Sequence, residues 1–186
     1  MRLFAAVPIP EPAASEVRAV LEGLVSQGWP VRWIGSDGLH VTLKFFGEVL
    51  PARCGTIAEM LGFAAEGVAP FTLGVRRAGG FPDLARPRVL HLELVHESGL
   101  EVLQERIERG GERIGFPPEG RPFQPHITLG RVREGHRLPA GARGYLEGIA
   151  PIPAVRADRV VLFESVLPTG NHAPSYHARS EVVLTG

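Results

Sequence analysis

Cysteine is nearly absent from this 186-residue chain, which carries only Cys54. That excludes an internal disulfide framework and any Cys-x-x-Cys redox or zinc pair. The lone thiol reads as structural, and the composition suits a reducing cytoplasm. Long apolar runs are also missing. No stretch approaches the roughly 20 residues of a membrane-spanning helix. No signal segment and no membrane partner are expected. Excess charge of either sign is lacking as well, the formal net charge being zero. Such a chain does not track a long polyanion; a ligand presenting a few phosphates fits it better. Lysine is the scarcest charged residue: among 20 basic residues only Lys44 is lysine.

Threonine is scarce too, and its placement is informative. "LHVTLKFFGEV" (residues 39–49) and "PHITLGRV" (125–132) each set a threonine two residues after a histidine. Two such coincidences among seven histidines amount to a roughly 2% event if placement were random. The motifs also lie 86 residues apart, nearly half the chain. Sliding the sequence by that offset lays "VRAVLEGL" (17–24) on "LQERIERG" (103–110), both helical in period. It lays "RLF" (2–4) on "RVL" (88–90), and brings "FTLGV" (71–75) close to "RVVLF" (159–163), all of strand character.

The expected fold is therefore α+β: one domain, residues 1–186, built as two interlocked, pseudo-symmetric lobes of mainly antiparallel sheet with outer helices. Pro12 suits the first turn of the first helix, and Ser98 with Glu101 reads as a capping box for its counterpart. A helix is expected over 57–65, and mostly loop over 135–153. "RRAGGFPDLARPR" (76–88) reads as a loop broken by Gly79-Gly80 and Pro82. Strands are expected over 160–167 and 176–184, joined by the turn-rich "PTGNHAPS".

Side chains two apart on a strand share a face. Alternation puts His40, Thr42 and Lys44 on one face, with Val41, Leu43 and Phe45 anchoring the other. His126 and Thr128 likewise share a face. Two imidazoles and two hydroxyls are what in-line transfer at a phosphodiester needs: an acid on one side, a base on the other, and donors for the non-bridging oxygens. Lys44 or a nearby arginine would add positive charge. Arg131 reaches the phosphate only if its strand bends, because strict alternation turns it away. Phe46 and Tyr176 are candidates to stack a base, with core packing the stronger reading for Phe46. His91 reads as structural, and His96, His136, His172 and His177 as surface residues. No His-x-His, His-Glu-x-x-His or carboxylate cluster stands at ligand spacing, so neither metal nor cofactor is expected.

The chain resembles the 2H phosphoesterases, and most closely the RNA 2′,3′-cyclic phosphodiesterases once called 2′-5′ RNA ligases. The resemblance runs nearly end to end, through "MRLFAAV", "LHVTLKFFGEV", "GGFPDLARPRVLHLEL", "PFQPHITLGRV" and "VVLFESVLPTGNHAPSYHARSEVVL". One departure is His91, where similar proteins often carry an aromatic residue. The resemblance implies a cleft between the lobes and hydrolysis of an RNA 2′,3′-cyclic phosphate to a 2′-phosphate. It assigns His40 as proton donor to the departing 3′ oxygen and His126 as proton acceptor from water. Thr42 and Thr128 would hold the phosphate, with Lys44 and Arg131 as further phosphate contacts. A 5′-hydroxyl in place of water would give 2′-5′ ligation. The expected partner is an RNA bearing a 2′,3′-cyclic phosphate end, or a small cyclic nucleotide; a module that only binds RNA ends is the non-enzymatic alternative. A monomer is expected.

Overall fold

Leu3 to Val7 carry no polar side chain and are all buried, so the strand they form, β1 (Arg2–Pro8), has to lie inside a sheet with neighbours on both edges. It does, between β3 and β9. The computed structural model describes residues 1–35, 38–166 and 174–186. After β1 come α1 (Ala13–Val25), β2 (Val31–Trp33), β3 (His40–Glu48), α2 (Cys54–Ala65), β4 (Phe71–Leu73) and β5 (Val75–Phe81). The second half runs β6 (Val89–Leu94), α3 (Ser98–Arg113), β7 (His126–Val132), α4 (Ala142–Glu147), β8 (Val155–Ala157), β9 (Arg159–Val166) and β10 (Ser175–Val183).

The main sheet has the order β10-β9-β1-β3-β7-β6-β5, with β2 also paired to β7. All its pairings are antiparallel, and β3 meets β7 at Val41 and Ile127. That narrow join divides the sheet into two lobes. Each lobe borrows strands: β9 and β10, from the second half, complete β1 and β3, while β5 and β2, from the first half, complete β6 and β7. β4 and β8 pair as a small second sheet. The helices are exchanged in the same way. α2 and α3 lie together, with α3 against β3 and α2 against β9 and β10. α1 meets α4 through Tyr145, whose ring stands edge-on to Trp29 at 5.6 Å, and α4 lies on β5.

The halves share one irregularity in equivalent places. In β3 the register against β1 skips Leu43; in β7 the register against β6 skips Leu129, 86 residues on. Each skip is a β-bulge, which inserts one unpaired residue and reverses the inward–outward phase beyond it.

Two local expectations change. Gly79 and Gly80 lie inside β5 and not in a loop, because close packing requires glycine there: a Cβ on Gly79 would stand 2.7 Å from Nε2 of His91, and one on Gly80 2.8 Å from Pro87. The loop begins only after Phe81. α3 is capped by Glu97, whose carboxylate accepts from the Leu100 N–H at 3.0 Å, one residue before the expected Ser98. Glu101 is thereby left to pair with His96. The stretch 135–153 contains one short helix, α4, and no other regular element. The turn "PTGNHAPS", with His172, falls largely outside the described residues, as does Leu167.

Candidate active site

Val41 and Ile127, directly paired and fully buried, anchor the two central strands from below. His40 and Thr42 flank Val41, and His126 and Thr128 flank Ile127, so all four point to the opposite, cleft-side face. Carrying the antiparallel register one residue either way sets His40 against Thr128 and Thr42 against His126.

Both imidazoles are oriented by the same device. Nδ1 of His40 donates to the carbonyl of Gly38 at 2.7 Å, and Nδ1 of His126 donates to the carbonyl of Gln124 at 2.7 Å. A carbonyl can only accept, so each Nδ1 carries its hydrogen and each Nε2 is the position that gains or loses a proton. Gly38 and Gln124 are themselves 86 apart. Neither was a sequence candidate, because the functional atom is backbone; the signal was the residue two before each histidine. A side chain at Gly38 would also strike the Tyr176 ring, 2.7 Å from the would-be Cβ.

Aromatic walls fix the rings further. His40 packs on Phe4 at 4.8 Å and meets Tyr176 edge-on at 5.2 Å between ring centroids. His126 meets Phe81 edge-on at 5.0 Å and His91 at 5.3 Å. This enclosure sets the electrostatics. Burial lowers the His40 pKa to about 4 despite the Gly38 carbonyl, and the His126 charge lowers it further. Burial also lowers His126, opposed by the Gln124 carbonyl and assisted by the positive charge of Arg131.

The bulges redistribute the remaining candidates. Beyond Leu43 the phase reverses, so Lys44 does not join His40 and Thr42. It is 1% exposed and donates through Nζ to Glu108 of α3 at 2.7 Å and to the Pro117 carbonyl at 2.9 Å. Its expected phosphate role is therefore corrected: a buried ammonium already engaged beneath the sheet does not reach the cleft. Phe46 follows the stronger of its two readings, core packing, and not base stacking: it is 7% exposed and packed edge-on against Phe116 at 5.1 Å. Phe45, expected as an anchor, is instead 49% exposed on the cleft face, its ring 5.6 Å from Phe4. It is the aromatic residue that alternation missed.

The second bulge acts on Arg131 in the same way. It is exposed, and the reversed phase past Leu129 turns it to the face of His126 and Thr128. Tyr176 is half-buried there, with its hydroxyl pKa raised by burial. His91 pairs across strands with Thr128 and is 2% exposed, stacked on Phe81 at 4.0 Å with Nδ1 unpartnered. Burial lowers its pKa to about 4. His96, His136 and His177 are exposed, and Cys54 is half-buried. Among the described residues no three His, Cys, Asp or Glu side chains gather as metal ligands.

The arrangement is thus two Nε2 atoms and two hydroxyls on one face, able to give one proton and take another. A family model described as LigT like Phosphoesterase matches the chain twice in succession, over residues 7–91 and 92–171. An RNA 2′,3′-cyclic phosphodiesterase of Thermotoga maritima is 32% identical, covering 100% of this chain and 97% of that protein. The crystal structure of TT0787 of Thermus thermophilus superposes with a TM-score of 0.82 at 26% identity, covering 100% of this chain and 99% of that one. That of E. coli LigT complexed with 3′-AMP gives 0.76 at 25% identity, covering 100% and 98%.

Proposed function

This chain belongs to the LigT-like phosphoesterase family, and from that premise we propose that it hydrolyses the 2′,3′-cyclic phosphate of an RNA end to a 2′-phosphate, with His40 and His126 handling the two protons. The observation carrying this reading is the matched pair of imidazoles, each locked through Nδ1 so that Nε2 is available on the shared face. Water attacks phosphorus as Nε2 of His126 takes its proton. The bond from phosphorus to the 3′ oxygen breaks as Nε2 of His40 protonates that oxygen. Thr42 and Thr128 donate to the non-bridging oxygens, where charge builds in the transition state. Burial, with the His126 charge, holds His40 near 4, but a phosphodiester anion set against its ring favours the imidazolium and restores the acid. With a 5′-hydroxyl as nucleophile the same groups give 2′-5′ ligation.

The test is single-turnover hydrolysis of a short RNA ending in a 2′,3′-cyclic phosphate. His40→Ala and His126→Ala should each lower the rate by about a hundred- to ten-thousand-fold while RNA binding persists. A 3′-phosphate product would reverse the leaving-group assignment, and absence of turnover in the wild-type protein would make this a binding module.

A further inference from the structure

Arg32 of β2 is the direct cross-strand partner of Arg131 in β7. Cross-strand partners project from the same face, so Arg32 shares the cleft face with Arg131. Its neighbours agree: Trp33 packs into the core, and Arg32 is exposed. Like charges directly opposed on a sheet repel, and three of this protein's other strand arginines are neutralised across the sheet. Arg77, Arg159 and Arg179 are each tied to a carboxylate on a neighbouring strand, Glu93, Glu181 and Glu164. Among the described residues no carboxylate is ion-paired with Arg32 or Arg131. Two opposed guanidiniums left without a counter-charge at the rim of a cleft make a site for an anion.

Position identifies that anion. β2 occupies the same edge of β7 as β3 does, farther along, so Arg32 and Arg131 continue the row that His40 and Thr128 begin. Arg131 stands three residues past Thr128, about 7 to 10 Å along a strand rising about 3.3 Å per residue. That is the reach of one ribose. A nucleotide ending in a 2′,3′-cyclic phosphate has one further phosphorus linkage, at its 5′ oxygen. Resting on the function proposed above, we propose that Arg32 and Arg131 form a second anion subsite that holds the phosphodiester on the 5′ side of the terminal nucleotide. The site is then built for a strand of RNA, in preference to a cyclic mononucleotide.

The experiment compares three substrates: a short RNA ending in a 2′,3′-cyclic phosphate, a nucleoside 2′,3′-cyclic phosphate, and that nucleoside carrying a 5′-phosphate as well. Arg32→Gln should lower kcat/KM about tenfold on the first and third and less than about twofold on the second. Arg32→Lys should retain most of the RNA activity. The logarithmic salt dependence on RNA should become shallower by about 0.7 in Arg32→Gln, one phosphate contact fewer. Equal losses on all three substrates, or none on RNA, overturn the subsite. Wild-type protein that turns over the cyclic nucleoside with no preference for the 5′-phosphorylated forms overturns it alone, whereas wild-type protein that turns over none of them overturns the hydrolase reading too.

Discussion

At the scale of single residues, the decisive facts are two protons and what burial does to them. His40 falls to about 4 and His126 is lowered as well, both mainly by burial. The hydrolysis proposed above needs one proton on the pair and one vacant Nε2, whichever ring holds which. Above both pKa values, the singly protonated form decreases about tenfold with each unit of rising pH. We therefore expect kcat/KM on a cyclic-phosphate RNA to climb about tenfold per unit as pH is lowered from about 8 towards about 6.5. A plateau extending to pH ~8 would require an acid that burial had not weakened, and would remove His40 from that role. The histidines and threonines were legible in sequence because their spacing repeats. The carbonyls of Gly38 and Gln124, which decide the tautomers, were not, since backbone atoms leave no mark on residue identity.

At the scale of elements, the matched bulges at Leu43 and Leu129 decide which side chains face the cleft. Alternation was the correct rule up to Leu43 and Leu129 and the wrong one beyond, because a bulge leaves one residue unpaired. Nothing in "HVTLKFFG" marks the skipped residue; it appears only once β1 supplies a register. The consequences are separable by mutation. Lys44→Ala removes the ammonium that donates to Glu108 and to the Pro117 carbonyl, and breaking a buried pair costs about 3 to 5 kcal/mol. The urea midpoint should fall while activity per folded molecule is kept. Phe45→Ala should do the reverse: unchanged stability, with KM for RNA raised about five- to hundredfold by the lost base–aromatic stacking. If Lys44→Ala instead abolished turnover in a fully stable protein, the lysine would belong to the cleft and the bulge would not have the effect described.

At the scale of the whole molecule, the two-lobed α+β fold was legible in strand and helix periods that recur 86 residues apart. Which strand each lobe takes was not legible: β5 and β9 are strands in equivalent places, and sequence alone does not say that each crosses to the other lobe. That exchange has a physical consequence. Cutting the chain in the loop between β5 and β6 leaves residues 1–84 with β1 and β3 but without β9, and with β5 and β2 lacking β6 and β7. Residues 85–186 lose the reciprocal partners, and β4 is parted from β8. Each fragment exposes apolar strand edges and half of a core to which both halves contribute. Neither fragment alone should unfold cooperatively by circular dichroism, because neither contains a complete lobe. Mixed in equal amounts, they should regain a single thermal transition and, with it, hydrolysis, since His40 and His126 then face one cleft again. Cooperative unfolding of either fragment on its own would mean that the lobes are self-sufficient and that the exchange of β5 and β9 does not hold the two histidines together.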